Sequence, residues 1–433
     1  MDKKKSTESV SKFLLPFYYN NLGKKEEIFP FDLEDFRRYD IKTKYLAKSV
    51  YELFLGDNDA ACKCFYLTDE NRNNYDLPPR YRKITLHSEM RGCSGDFCFN
   101  ILANRVIYFS TGIGFLETEI QYYDDEPSNI TNIGFCLANT FTNEHDSGKL
   151  KNNLTFSYED NDKTIFFSLK NSLLKVLGAE KHGDKLTIFP STERKRMMVY
   201  HSLICRHIPD DNKVLYALSN GLHTDVYYDE NMDEDFVFSS IASQKWAVTP
   251  SGIASISIVS DNDDHAQFLV KHFKKSTLYD YFYIFILVAH EREVLLRYNY
   301  DAVKNRMKPN KLIAMRHKLI ELDLQYTYNT ISTESSYQKF YTNISEVFNI
   351  SCLEQDIKNV IETVESHVNE RNDRKTNTLL TAISVLAVFS VLTDGIAFAD
   401  RIQEGNSFGI LQWSIILIVG IFIFIALMIL KRK

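Results

Sequence analysis

The carboxyl-terminal part of the chain reads TLLTAISVLAVFSVLTDGIAFA at residues 378–399 and ILQWSIILIVGIFIFIALMIL at residues 410–430. As α-helices these two stretches extend about 31 to 33 Å, which matches the hydrocarbon core of a bilayer, about 30 Å thick. They predict two transmembrane helices joined by a short polar loop. The second stretch has no charge and is expected to face lipid, whereas polar residues on one side of the first favour contact with a wet interior.

Charge around this hairpin predicts its orientation. Basic residues precede it between positions 371 and 375, and the chain ends on Lys-Arg-Lys at 431–433, whereas the connecting loop carries Asp400 and Glu404 against one arginine. The positive-inside rule then places both termini in the cytoplasm. The lysine-rich amino end is not followed by the apolar segment of a signal peptide. We therefore expect a multi-pass protein of the inner (cytoplasmic) membrane, with the lipid bilayer as a partner.

Composition indicates a globular protein outside the membrane. The chain is 44% hydrophobic and 25% charged, with a net charge of -6 and a pI near 6.0. This balance disfavours intrinsic disorder, and no nucleic-acid binding is expected from it. The portion before the hairpin is long enough for two or three domains.

The seven cysteines are an odd number in a chain expected to lie in the reducing cytosol, so no disulfide framework is predicted. Cys62 and Cys64, together with Cys93 and Cys98, could supply four zinc ligands. Their spacing fits no compact zinc knuckle, which favours reduced and partly buried thiols. No metal and no cofactor are assigned.

The amino-terminal part, residues 1–268, reads as an α+β domain. Short runs rich in β-branched and aromatic residues, bounded by Gly, Asn or Asp, predict strands at 83–90, 105–110, 213–218 and 252–259. Helices are expected at 33–55 and 170–177. We interpret this region as a cytosolic sensor domain.

A helical stalk is predicted over residues 269–376. Residues 265–307 contain no Gly or Pro and stop before Pro309, but their apolar centre is too short to span a membrane, so this helix is expected to pack on the α+β domain. A second helix is predicted over 311–348 and a hinge at 349–351.

A third helix is predicted to run from Cys352 into the first membrane segment. Its apolar positions step by three and four residues, as in a coiled coil, and no Gly or Pro intervenes before Gly395. A continuous helix over 352–399 would be about 72 Å long. The alternative is an ordinary amphipathic helix followed by a separate span. The last domain, residues 377–433, is the transmembrane hairpin with its basic tail.

An α+β cytosolic domain, long stalk helices, a two-helix carboxyl-terminal hairpin and a basic tail together resemble the CorA superfamily of membrane ion channels and transporters. The resemblance implies a homopentamer whose first membrane helices line a central pore. Members carry a Gly-Met-Asn signature after that helix, whereas this chain has Phe398-Ala399-Asp400 in the matching place.

The missing signature changes the expected selectivity. A ring of Asp400 carboxylates at the pore mouth would favour cations in general rather than a hydrated magnesium ion. The alternative reading is that Asp400 only caps an interfacial loop. A divalent metal (Mg²⁺) transporter of the CorA type, with a divalent cation as ligand, stays open as an alternative.

The residues of a pore can be proposed from helical spacing. Steps of three and four residues select one line along the first membrane helix, in which two valines would form an apolar constriction. The proposed pore-lining residues are Asn377, Thr381, Ser384, Val388, Val391, Asp394, Gly395 and Asp400. Polar residues on this line do not by themselves require a pore, because Ser and Thr are common in packed membrane helices, where they bond to neighbouring helices or to carbonyls of their own helix.

Residues 109–116 and 246–252 resemble segments of the CorA-like effectors of type III CRISPR systems, a branch without the Gly-Met-Asn signature. That resemblance implies antiviral defence and gating by a nucleotide messenger, a conjugate of S-adenosylmethionine and AMP. Thr111, Gly112 and Gly114 are weak candidates for a ligand contact. A plain turn between two strands explains them more simply.

Catalysis is not expected. The chain contains no His-Glu-x-x-His motif, and its Gly-x-Ser-x-Gly match at 405–409 lies in the loop between the two predicted membrane segments rather than after a predicted strand. Two functional classes remain: an ion channel, and a membrane-anchored sensor without a pore.

Overall fold

A computed structural model describes residues 8–19, 33–39, 45–55, 61–90, 92–124, 126–142, 154–183, 185–192, 195–205, 211–226, 228, 237–241, 244–259, 263–304, 309–328 and 330–402. The chain divides into two units. The first consists of Met1–Met307 with Ala314–Lys358, and the second of Lys308–Ile313 with Asn359–Lys433. The first unit thus includes helices that the sequence assigned to the stalk. The predicted second membrane helix, at 410–430, lies outside the described residues.

The described strands of the first unit form one mixed sheet. They are β1 (Val10–Tyr19), β2 (Phe36–Arg38), β3 (Cys62–Leu67), β4 (Ile84–Met90), β5 (Cys93–Phe109), β6 (Ile113–Tyr122), β7 (Leu154–Asp160), β8 (Lys163–Phe167), β9 (Leu186–Ile188), β10 (Met198–Cys205), β11 (Val237–Ile241), β12 (Gln244–Thr249) and β13 (Gly252–Ile258). Their main order is β11-β12-β13-β10-β1-β6-β5-β4-β7-β8; in addition β3 pairs with the second half of β5, β2 pairs with β3, and β9 pairs with the end of β1. The pair β10–β13 is parallel, and the other pairs are antiparallel.

The described helices are α1 (Lys48–Leu55), α2 (Pro127–Ala138), α3 (Leu169–Val176), α4 (Ala179–His182), α5 (Asp211–Ser219), α6 (Asp263–Lys275), α7 (Phe282–Lys304), α8 (Pro309–Tyr326), α9 (Ser335–Val347) and α10 (Ile350–Ile402). A π-helix, Ser276–Tyr281, joins α6 to α7. Short 3-10 helices lie at Leu33–Asp35 and Asp69–Tyr75.

Strand β1 lies in the middle of the sheet and is buried at every position because helices cover both faces. Side chains alternate between the two faces of a strand. Phe13 and its odd-numbered neighbours pack with α2, α3 and α5 in the main apolar core. Lys12, on the opposite face, contacts the π-helix and the ring of Phe282 in α7. This two-sided burial explains why β1 reads as an almost continuous apolar run.

Several predicted elements match the structure and two do not. The strands predicted at 83–90, 105–110 and 252–259 and the helix at 170–177 are present. The strand predicted at 213–218 is wrong, because Leu215 and Leu218 lie one helical turn apart on α5 and are both buried in the core. The helix predicted over 33–55 begins only at Lys48, since Phe36 starts a strand that pairs with β3.

The carboxyl-terminal helices follow the predicted order with one extra break. The segment 263–304 is helical throughout and packs on the sheet, as expected, but contains the π-helix. The predicted helix 311–348 is two helices, because Ser332 forms a bridge with Leu46 and the carbonyl of Ile331 accepts a hydrogen bond from Ala47. Asn349 has a positive φ of 54° and separates α9 from α10 at the predicted hinge.

Candidate functional site

Helix α10 contains every position of the proposed pore lining. It runs without interruption from Ile350 to Ile402, over 53 residues. At 3.6 residues per turn, six of the proposed positions fall within about 40° of one line along the helix. These six are Asn377, Thr381, Ser384, Val388, Val391 and Gly395. A single straight helix therefore places polar residues at one end of this line and two valines further along it.

The two acidic positions do not share that line. Asp394 lies next to Gly395 and is therefore displaced by about 100°. Position 400 is still helical, and five residues of helix bring it about 140° away from position 395. If the line faces a pore axis on a straight helix, position 400 does not face that axis. The predicted ring of Asp400 therefore requires the helix to bend or end before this residue.

The apolar side chains of this part of α10 are exposed or half-buried. Among the side chains described between positions 362 and 396, none is buried. Leu386 is 67% exposed and Val391 is 70% exposed. The large exposed apolar residues of this segment are Leu379, Leu380, Ile383, Leu386, Phe389, Val391 and Ile396. In the described part of the chain, one helix, α10, is long and apolar enough to cross a membrane.

Hydroxyl groups along α10 bond to the helix itself. The Thr381 hydroxyl donates to the carbonyl of Asn377 at 2.8 Å, and the Thr393 hydroxyl donates to Ser390 at 2.8 Å. These bonds satisfy the hydroxyl protons within the helix itself. The oxygen lone pairs of Thr381 remain available to water or to a cation.

The turn at 110–112, which contains Thr111 and Gly112, joins β5 to β6, as the simpler interpretation predicted, and Gly114 is the second residue of β6. Gly112 has a φ of 85°, a conformation that favours glycine. Gly114 has no room for a side chain, because an added Cβ would collide with the ring of Phe17. Thr111 Oγ1 is hydrogen-bonded to Nε2 of the buried His290 at 2.8 Å. Turn geometry and packing explain all three residues without a ligand.

A buried ionic cluster crosses three strands on the sheet face that meets α7. Arg105 pairs directly with Glu117 across β5 and β6, and Lys12 pairs with Glu119 across β6 and β1. The Arg105 guanidinium lies 2.5 Å from both carboxylates, and Lys12 Nζ lies 3.1 Å from Glu117. Burial lowers the pKa of Lys12, although the two carboxylates oppose this shift. Two cations and two anions make the cluster neutral overall.

Lys12 of the ionic cluster and Tyr200 of β10 both donate hydrogen bonds to the π-helix. Lys12 Nζ donates to the carbonyl of Leu278 at 3.1 Å, and the Tyr200 hydroxyl donates to the carbonyl of Thr277 at 2.5 Å. Both carbonyls belong to the π-helix, a rare form that is frequent at functional sites. The sheet thus contacts the π-helix that precedes α7 through two polar bonds.

A second buried acidic group lies where four helices meet. Glu291 of α7 is 3% exposed; its Oε1 accepts a hydrogen bond from Thr327, and its Oε2 has no hydrogen-bond partner among the described residues. Burial, with the nearby carboxylates of Glu354 and Asp323, raises the pKa of Glu291 to about 7. Glu354 belongs to the first turns of α10. No local sequence pattern predicts this burial, because only the packing of α8 to α10 creates it.

The four cysteines considered for zinc form two pairs, and the two pairs lie far apart. Cys62 and Cys64 pair with the end of β5, at Phe109 and Ile107, whereas Cys93 begins that strand. Sixteen residues of strand separate Cys93 from Phe109 by roughly 50 Å. Among the described residues no group of three potential metal ligands is close enough to hold an ion.

Comparison with known proteins finds no matching family model, no matching curated protein and no matching solved structure.

Proposed function

We propose that this chain is one subunit of a homopentameric membrane cation channel, in which the apolar segment of α10 lines the pore and the first unit regulates it. The observation that carries the proposal is the exposure of that segment, where no described side chain between positions 362 and 396 is buried. Each large apolar side chain gains about 1.5 to 3 kcal/mol on leaving water. A bilayer around residues 378–399 supplies that burial.

The polar line on α10 favours a channel over a simple anchor. In a helix surrounded only by lipid, nothing favours the alignment of the polar residues Asn377, Thr381 and Ser384 on one line. In an oligomer this line faces the other subunits, where hydroxyl and amide oxygens can replace part of the hydration shell of a cation. Val388 and Val391 then form an apolar constriction that closes by losing its water.

The second candidate is a membrane-anchored sensor without a pore. It is favoured by the bonds from the hydroxyls of Thr381 and Thr393 to the carbonyls of their own helix, since such bonds also let these residues face lipid or a packed neighbour.

The resemblance to CorA-like effectors of type III CRISPR systems extends the proposal to gating. We infer a cytosolic nucleotide messenger, first the conjugate of S-adenosylmethionine and AMP, as a ligand of the region before residue 268. In the segment 246–252, Trp246 is fully buried and its ring lies 4.8 Å from that of Tyr281 and 4.7 Å from that of Phe340. A ligand that shifts β12 would therefore disturb the π-helix and α9. A hundredfold preference for the open state would supply about 2.7 kcal/mol.

Ion flux from liposomes tests the proposal. The purified protein is reconstituted, and cation efflux is measured without ligand and with the conjugate, with cyclic oligoadenylates or with magnesium. We expect efflux only with the nucleotide messenger. Val388→Ser, which makes the constriction polar, should raise efflux without ligand. Leu386→Ser, about 180° away on the same helix, is the matched control and should not.

Three results contradict parts of this account. Inserted protein that conducts nothing under any condition would favour the anchored sensor. Efflux that only magnesium closes would favour a magnesium transporter. Equal effects of the two serine variants would place Val388 outside the pore.

A further inference from the structure

Two buried thiols lie in contact on the face of the sheet that carries α2. Cys93 Sγ and Cys136 Sγ are 3.2 Å apart, and the two residues are separated by 43 positions in the chain. Cys93 is the first residue of β5, and Cys136 lies in the last turn of α2. A disulfide requires about 2.05 Å between the sulfurs, so an approach of about one ångström suffices.

We propose that Cys93 and Cys136 form a reversible dithiol site that low-molecular-weight disulfides oxidise to an intramolecular disulfide. The product would tie the tip of the β4–β5 hairpin to the end of α2. This inference is independent of the proposed channel activity. It also accords with the rule that disulfides in the cytosol are mostly transient and redox-sensing.

The surroundings distinguish the two sulfurs. Cys93 follows the exposed Gly92 and is the register partner of Met90 at the tip of the β4–β5 hairpin. Cys136 is fully buried, and its Sγ lies 3.4 Å from the Ser88 hydroxyl. The hydrogen bond between the thiols lowers the pKa of Cys93 and raises that of Cys136. Cys93 is therefore the attacking thiol and Cys136 the resolving one.

The reaction has two steps. The Cys93 thiolate attacks one sulfur of the small disulfide, forms a mixed disulfide and releases one small thiolate. Cys136 then attacks the Cys93 sulfur, forms the intramolecular disulfide and releases the second small thiolate. The protons of the two cysteine thiols end on the two released thiols. The small disulfide is reduced by the two electrons that the cysteines lose.

Two other cysteines serve as internal controls. Cys98 lies five residues after Cys93 on the same strand, so its side chain is on the opposite sheet face and cannot reach Cys136. Cys352 is exposed. Within one chain it is expected to form a mixed disulfide with the small thiol and no intramolecular disulfide.

The test uses the full-length protein in detergent. The reduced protein is equilibrated with increasing ratios of glutathione disulfide to glutathione, quenched in acid, alkylated and digested with trypsin. Mass spectrometry should find peptide 92–105 linked to peptide 106–149. Because the nearby sulfurs react within one molecule, the link should form at an about tenfold lower ratio than the mixed disulfide at Cys352. Added reductant should remove it.

Variants assign the link to its sulfurs. Cys98→Ser should leave the link unchanged, although Cys98 shares a peptide with Cys93. Cys136→Ser, with its fold checked by circular dichroism, should leave Cys93 with one glutathione. The inference is overturned if Cys93 and Cys136 stay fully alkylated when Cys352 is converted, or if Cys98→Ser abolishes the link. These outcomes do not depend on ion flux, so they leave the channel proposal untouched.

Discussion

At the scale of single residues, the raised pKa of Glu291 comes from tertiary packing and has no signal in the local sequence. Its carboxyl lies beside Asp323 of α8, Tyr341 of α9 and Glu354 of α10. Lys358 pairs with Glu354 and Asp323. Among the described residues, the Glu291 carboxylate is buried with one hydrogen bond and without an ion pair.

Glu291 should make stability depend on pH. Its pKa rises from 4.5 to about 7 on folding, so the folded state binds the proton more tightly, and stability falls as the pH rises between these values. Above about pH 8 the loss is constant. Glu291→Gln, which mimics the protonated form, should match the wild type near pH 4. Near pH 8 it should be more stable by up to about 3 kcal/mol.

Thermal unfolding of both proteins in detergent from pH 4 to 9 measures this difference. Glu362→Gln, at an exposed position of α10, is the matched control and should follow the wild type throughout. Parallel curves for Glu291→Gln and the wild type would show that the pKa of Glu291 does not change on folding.

The ionic cluster gives a second prediction at this scale. Lys12→Met leaves a net negative charge buried in the sheet and should cost about 3–5 kcal/mol of stability. Lys12→Met with Glu119→Gln restores neutrality around Arg105 and Glu117, so the double variant should lose less than the sum of the single variants. Thermal unfolding of Lys12→Met, of Glu119→Gln and of the double variant measures the coupling. Additive losses would mean that Lys12 and Glu119 do not interact.

The sequence contains a pattern from which part of this cluster could be predicted. Lys12 is the one charged residue of an apolar run, and Glu117 and Glu119 share one strand face in a second apolar run. Complementary lone charges in two buried strands indicate that the strands are neighbours. Arg105 and the contact with the π-helix could not be inferred, because they depend on pairing between distant segments.

At the scale of elements, α10 was the most predictable part of the chain. The absence of Gly and Pro before Gly395, with a regular apolar spacing, predicted one long helix, and the structure has one from Ile350 to Ile402. Elements whose form depends on distant partners were less predictable. Examples are the break between α8 and α9, which pairs with residues near Leu46, and the π-helix, whose carbonyls are bound by sheet side chains.

The exposed apolar segment predicts where a charge prevents membrane insertion. Leu386→Arg places a cation near the middle of residues 378–399, at a cost of about 2.5–3.5 kcal/mol for insertion. We expect less protein in the membrane fraction of expressing cells, measured by sedimentation and carbonate extraction. Glu362→Arg, outside the apolar segment, should remain in the membrane fraction. Equal recovery of both variants would show that α10 is not what anchors the protein.

At the scale of the whole molecule, the proposed pore requires several copies, because one helix cannot enclose a lumen. The resemblance to the CorA superfamily predicts five. Mass measurement of the full chain in detergent should give five copies of 50.4 kDa, about 250 kDa without bound detergent. A monomer or dimer that stays stable across mild detergents would contradict the pore.

The most direct test of the central claim is the accessibility of α10 to water inside a bilayer. Single cysteines are introduced at positions 381, 384, 388 and 391 on the polar line and at 386 and 389 away from it, in protein lacking the exposed Cys352. Liposomes containing each variant are treated with a charged, membrane-impermeant thiol reagent in the presence of the nucleotide messenger. The channel predicts fast modification at the four positions on the line and little at the other two. Uniform protection of all six positions would contradict the channel.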